Sequence, residues 1–367
     1  MKIVAGLGSI DEYIKFAEAG ADEFFCGYVP YSWSPKYGTV LPLNRREVLC
    51  YNVQLGAFSE LEILSGMMKK YEKPVHLTFN SLYYIPEQYP EIAGIISQCI
   101  KIGFHSYIIA DPALMVYLRE NGINCEIHLS GECGEINSQM VASLAKMRLK
   151  RVIFHRKNTS EDMKAVVDKC GKKDGTDAAN VEMLKDMDTA DDYSSVRERC
   201  ESGTERIPEF EAFVLNEMCQ FTGAFCNSLH CDEMGYLCKV PYQIGTLKTG
   251  NAGSEIFNQE INGGHLLPDG FVPDDFHSLH DFSYDSAGYL CGETGCGLCA
   301  LYQLKQAGIT HLKLVGRGNY TDYMEKDIRN LRMALNILRE SVDEMEFRRK
   351  LKLQIFPRGC SRNCYYR

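Results

Sequence analysis

No stretch of this chain approaches the roughly eighteen consecutive apolar residues of a transmembrane helix. The opening residues, MKIVAGLGS, hold one lysine and too short an apolar run to act as a secretory signal. There is no basic excess either. A formal net charge of −9 argues against generic binding of polyanions, so nucleic acid is a disfavoured partner. HExxH and GxSxG are absent, and no Cys–His pair carries a local protease signature. Low-complexity tracts and short solenoid repeats are missing as well. What is left is a 367-residue chain, 45% hydrophobic, enough for one large domain or two ordinary ones.

Cysteine is what the chain has in plenty. Of its 16 cysteines, nine fall between Cys219 and Cys364. Eight of these form close sets: Cys219-x6-Cys226, Cys231-x6-Cys238, Cys296-x2-Cys299 and Cys360-x3-Cys364. Such spacings let a loop deliver two thiolates to one metal, and soft thiolates select zinc, copper or an iron–sulfur cluster. Without a secretory signal, these thiols read as reduced and cytoplasmic, candidates for metal and not for disulfides. Cys26, Cys99 and Cys125 stand singly in apolar segments and read as buried small hydrophobes.

Short β-branched or aromatic runs alternate with amphipathic helical patterns along most of the chain. The expected strands are KIVAG (2–6), DEFFCGY (22–28), PVHLTF (74–79), SYIIAD (106–111), EIHLS (126–130), RVIFHR (151–156), FEAFVL (210–215) and HLKLVGR (311–317). Ser9 and Glu12 read as a capping box before the first helix. Eightfold alternation predicts a (β/α)8 TIM-like barrel, whose chemistry sits at the C-terminal ends of the strands. Residues 1–345 then form one barrel domain, and 346–367 a tail carrying Cys360 and Cys364. Residues 171–209 read as an insertion at the bottom face. Residues 216–291 rise from the catalytic face after the seventh strand and bear the first two cysteine sets.

Several strand endings resemble the U32 "peptidase" family. GADEFFCGY (20–28) is similar to its Gly-Ala-Asp motif, and LTFNSLYYIPEQ (77–88) to its third-strand segment. HLSGECGEINS, KRVIFHRKNTSEDM and AGITHLKLVGR resemble further family segments, in family order. FEAFVLNEMCQFTGAFC (210–226) matches a Glu-x-Phe segment leading into Cys-x6-Cys. The chain departs from the pattern at Gly223, one place early, and at Val315, where the family has an acid. A family segment with two further cysteines is missing, and LCKVPY around Cys238 is its nearest echo.

The resemblance implies a barrel-like domain holding a four-cysteine [4Fe-4S] cluster. Better-understood members perform oxygen-independent hydroxylation of tRNA, rRNA or the ubiquinone ring, and others are described as collagenases. The expectation here is an iron–sulfur redox enzyme modifying a small molecule or a peptide, with an unnamed electron donor. A peptidase is one alternative; a non-catalytic metal protein assisting an accessory partner is another. The expected metal ligands are Cys219, Cys226, Cys238, Cys296 and Cys299. Cys231, Cys360 and Cys364 stand as replacements or as a second site, with zinc the competing metal. The expected catalytic residues are His76, His128, Arg156 and Lys313. Asn80, Asp111, Ser130, Asn137, Glu211 and Arg317 are the expected substrate-binding residues. Core placement for the histidines and rim salt bridges for the arginines are the bland readings of the same positions.

Overall fold

The structure, a computed structural model, describes residues 1–38, 41–45, 53–171, 207–218, 230–231, 235–236 and 285–366. All eight expected segments are strands: β1 Lys2–Leu7, β2 Glu23–Tyr28, β3 Val75–Phe79, β4 Ser106–Ile109, β5 Glu126–Leu129, β6 Leu149–Ile153, β7 Glu209–Leu215 and β8 His311–Leu314. Each pairs in parallel with the next, and β8 returns to β1 with Ile3 opposite Leu312 and Val4 opposite Lys313. The sheet therefore closes into an eight-stranded parallel barrel. Parallel strands buried on both faces read as near-continuous apolar runs. That is why they were legible. A two-residue strand, Gln54–Leu55, adds to β2 at Gly27 and Tyr28; the sequence offered no run long enough to announce it.

The helices turn their apolar faces to the barrel wall: α1 Glu12–Ala19, α2 Phe58–Tyr71, α3 Gln88–Ile102, α4 Pro112–Glu120, α5 Ser138–Ser143, α6 Ser160–Gly171, α7 Leu301–Gln306, α8 Thr321–Arg339 and α9 Glu344–Ile355. On α8, Met324, Ile328, Leu331, Leu335 and Leu338 are buried at helical spacing. Truncating one of these leucines to alanine costs about 2–5 kcal/mol. Only half of the expected capping box forms. Glu12 Oε2 accepts the Gly8 N–H at 2.7 Å and the Ser9 N–H at 3.4 Å. The N-cap is Asp11, and no side chain caps the helix from that position.

The segment from 346 onward is held against the barrel. Phe347 and Leu351 of α9 and Phe356 beyond it join the main core. The chain then returns over the top, where Cys364 forms a parallel bridge with Cys296, itself bridged antiparallel to Leu215 at the end of β7. Most of 171–209 and most of 216–291 lie outside the described residues, as do Cys219, Cys226 and Cys238.

Candidate active site at the barrel mouth

The barrel lumen is filled in tiers, and the lowest are polar. Glu23, Ser106, Arg151 and His311 come from β2, β4, β6 and β8, the alternate-strand layering of a TIM barrel. Arg151 Nη2 donates to Glu23 Oε2 at 2.7 Å and Nη1 to Glu211 Oε2 at 2.8 Å. His311 Nε2 lies 3.3 Å from Glu23 Oε1 and 3.0 Å from Arg151 Nη2. His76 bonds Glu23 through Nε2 at 3.0 Å and Ser106 through Nδ1. Lys313 Nζ donates to Glu211 Oε1 at 2.9 Å and sits 3.7 Å above the Phe25 ring.

These groups neutralise one another. Burial alone would raise the Glu23 carboxyl, but hydrogen bonds from His311 and His76 and the Arg151 charge outweigh it and hold it far below normal. Burial likewise opposes Glu211, yet Lys313 and Arg151 bring it down to about 2. Burial lowers Lys313 and His76. His128 is different. It is 1% exposed, its ring centroid lies 4.6 Å from that of His76, and neither ring nitrogen has a hydrogen-bond partner. Burial, with His76 and Arg151 beside it, pushes its pKa well down, so the ring is neutral.

Above the polar tiers lies an apolar one: Val4, Phe25, Ile108, Ile153, Phe213 and Val315, with Tyr365 packed on it. It separates the lumen charges from the mouth. Three guanidinium groups ring that mouth. Arg156 stands 4.2 Å over the Phe213 ring and donates from Nη1 to Glu132 Oε1 at 3.2 Å. Arg45 Nε meets the other oxygen, Glu132 Oε2, at 3.1 Å. Arg317 stands 5.8 Å from the Phe25 ring and donates from Nη1 to Gln54 Oε1 at 3.2 Å and Thr78 Oγ1 at 3.3 Å. Among the described residues, three arginines and Glu132 thus stand over an aromatic floor. Such a surface suits a carboxylate or phosphate attached to an apolar or aromatic body.

The remaining expected residues serve local structure. Asp111 caps α4, accepting the Ala113 N–H at 2.8 Å and the Tyr89 hydroxyl at 2.9 Å. Asn137 caps α5 through the Met140 N–H at 3.0 Å. Ser130 caps the 3-10 turn 131–133, and the Asn80 side chain accepts the Arg45 N–H at 3.2 Å. His76, His128, Glu211 and Lys313 lie together below the apolar tier; Arg156 and Arg317 stand above it.

The described cysteines are all free, and four of them gather beside the mouth. The Cys296 N–H donates to Asn363 O at 2.8 Å, and the Tyr365 N–H to Cys296 O at 2.9 Å. Burial pushes the Cys296 thiol up to about 12, and the charges of Cys299, Cys364 and Cys360 add to the rise. Burial also raises Cys299, which feels Cys360, Cys364, and the cations Lys352 and Arg348. Among the described residues, no three Cys, His, Asp or Glu side chains converge tightly enough to hold a single ion.

Residues 8–183 match the model of peptidase family U32. That segment belongs to the U32 family. It spans α1 to α6 and so supplies five of the eight strands and, with Arg45, Glu132 and Arg156, most of the arginine rim. Among solved structures, the U32 peptidase Mk0906 is similar over 58% of this chain and 69% of its own, with 11% identity and a TM-score of 0.37. A glycerophosphodiester phosphodiesterase from Parabacteroides distasonis is similar over 59% and 84%, with 12% identity and a TM-score of 0.35. No curated protein matches the chain.

Within this U32 segment the sequence reading overlooked Arg45, Glu132, Glu23 and Arg151. Arg45 lies in no element and had no periodic signal to mark it. Glu23 and Arg151 carried one: a charge inside a strand otherwise apolar.

Proposed function

We propose that this U32 chain is an iron–sulfur-dependent redox enzyme that hydroxylates or otherwise modifies a small anionic molecule or a peptide carboxylate. The arginine rim over Phe25 and Phe213, with four free thiols beside it, carries this reading. Arg156 and Arg317 would grip the acidic group of the substrate, and Phe213 and Phe25 would take its apolar body. Glu132, held by both Arg45 and Arg156, orients the two guanidinium groups toward the opening. Lys313, below Phe25, stabilises Glu211 and keeps the lumen neutral under the site.

The family resemblance implies a [4Fe-4S] cluster held by four cysteine thiolates, and the expected ligands Cys219, Cys226 and Cys238 lie outside the described residues. Bound by the chain, the cluster would relay electrons between the substrate and an organic oxygen donor, which is reduced as the substrate gains oxygen. Water exclusion falls to the chain itself: the apolar tier and Tyr365 line the floor of the mouth.

The family's name favours hydrolysis of peptides as the second reading. The two part on one experiment. Protein purified without oxygen is offered candidate acids together with an organic oxygen donor such as prephenate, and products are weighed by mass spectrometry before and after iron is removed by chelation. Iron-dependent gain of an oxygen atom supports the redox enzyme. Peptide cleavage that survives chelation supports the hydrolase and overturns our reading.

A further inference from the structure

Charge is spread unevenly along this chain. From Arg348 to Arg367 there are seven lysines and arginines and no acidic residue. Taking those seven from the chain's 40 basic residues leaves 33 against 49 acidic ones, so residues 1–347 carry a net −16. The basic stretch begins on α9, whose inner face is spent on the core, with Phe347 and Leu351 fully buried. A surface helix ordinarily turns polar residues to the opposite side. On α9 that side carries apolar residues as well. Met345 is 78% exposed and Leu353 65%, and they stand one helical turn either side of Arg349. Arg348 and Lys352 flank this row, both exposed. Arg348 is held by Glu344 at 2.7 Å, and Lys350 by Glu346 at 2.9 Å, within the helix itself. Among the described residues, the Arg349 and Lys352 side chains enter no ion pair. Neither the core nor the arginine rim uses this outer row.

We propose that the outer row of α9 is the docking surface for an acidic partner protein. The partner presents an amphipathic helix, with apolar residues against Met345 and Leu353 and carboxylates against Arg349 and Lys352. This assignment is independent of the reaction proposed above. Charge complementarity selects the sign of the partner, and the mixture of side chains selects its kind. Methionine and arginine are enriched at protein interfaces, whereas a phosphate backbone rewards the cations alone and leaves Met345 and Leu353 in water. A lipid surface needs a broad apolar face to receive, and the one α9 possesses is buried in the core. A second copy packed α9 against α9 would bring Arg349 and Lys352 up to the same cations. The face is also preformed. Asp343 caps the helix by accepting the Glu346 N–H at 2.8 Å, and the core contacts fix its orientation, so little ordering entropy opposes docking. Beyond α9 the chain runs through residues 356–364 to Tyr365, which packs on the apolar tier of the mouth. A partner held on α9 is thereby tied to the opening by one short segment.

The test uses the full chain and a labelled synthetic peptide in which Leu and Glu recur at helical spacing. The controls are the same peptide in scrambled order, a single-stranded RNA oligonucleotide, and vesicles of phosphatidylserine and phosphatidylcholine. Binding is measured for wild type, Arg349→Gln/Lys352→Gln and Met345→Ser/Leu353→Ser, all at exposed positions, with thermal unfolding to confirm that each variant folds. We expect wild type to bind the patterned peptide and neither RNA, vesicles nor the scrambled peptide. Each double variant should bind it about tenfold more weakly. Loss in the charge variant alone, or binding of RNA or vesicles that disappears in that variant, would make the row a plain polyanion site and overturn the protein partner. A dimer in sedimentation that either variant abolishes would assign the row to a second copy instead. Equal peptide binding by all three proteins, or none by wild type, would overturn the docking surface outright.

Discussion

Arg151 of β6 reaches across the barrel lumen to Glu23 of β2, Nη2 to Oε2 at 2.7 Å, and turns its other nitrogen to Glu211. One guanidinium thereby compensates two buried carboxylates from strands on different sides of the barrel. Arg151→Met should leave Glu211 with Lys313 alone and Glu23 with Lys2 and two histidines, and cost about 3–5 kcal/mol in denaturant unfolding at neutral pH. A loss below about 1 kcal/mol would contradict the arrangement.

Two of the three lumen histidines, His76 and His128, should behave oppositely. His76 joins Glu23 to Ser106, so His76→Leu removes the side-chain partner of the buried Ser106 hydroxyl and one of the bonds to Glu23, and should cost about 2–3 kcal/mol. His128 satisfies no partner, so His128→Leu should stay within about 1 kcal/mol of wild type or stabilise it. Thermal unfolding of the two variants decides this. Normal stability with abolished turnover in His128→Leu would instead give that ring a chemical task.

Gly27 makes room for the rim. A Cβ there would lie 1.5 Å from Gln54 Oε1 and 2.6 Å from Arg317 Nη1, both ends of flexible side chains. Gly27→Ala should therefore cost only about 1 kcal/mol while breaking the Arg317–Gln54 contact. At Gly131 the Cβ would meet backbone, Phe154 O at 2.8 Å, which cannot swing aside. Gly131→Ala should lower the melting temperature more than Gly27→Ala. The reverse order would refute the comparison.

Asp327 gives a pH signature of the opposite sign from the lumen acids. Burial raises its carboxyl to about 6, against hydrogen bonds from Asn216 and Tyr289. The folded chain thus binds this proton more tightly than the unfolded chain. The group's contribution to stability is full below about pH 4 and is lost as pH rises through about 6. Relative to wild type, Asp327→Asn should gain about 3 kcal/mol between pH 4 and 7. A difference flat across that range would refute the raised value. Glu211, depressed to about 2, contributes stability that is present above about pH 4 and lost as pH falls toward 2.

The barrel was legible because its signal is local: each strand announces itself within a handful of residues. The role of a polar residue in a strand is not local. His76, His128, Glu211 and Lys313 were singled out for chemistry, yet their neighbours are each other and Arg151, up to 102 residues away in the case of Lys313 and Glu211. Asp111 and Asn137 had a signal pointing the other way, since each immediately precedes a helix and Asp111 is followed by Pro112, the mark of an N-cap. Arg156 and Arg317 reached the rim because both stand just past the end of a strand, where the fold puts its opening. Nothing in periodicity could join the tail cysteines to Cys296; only the returned chain does.

Glu23 also binds the order in which the chain can assemble. It is made early, but His311, one of its partners, follows 288 residues later. A growing chain that has formed β2 to β7 still lacks the strand that closes the ring and part of the polar tier's hydrogen bonding. Loop closure over such distances is slow and is rewarded only at the end. Chains cut before residue 311 should stay unfolded by circular dichroism and not settle as seven-stranded barrels, leaving them dependent on chaperones until the last strand emerges.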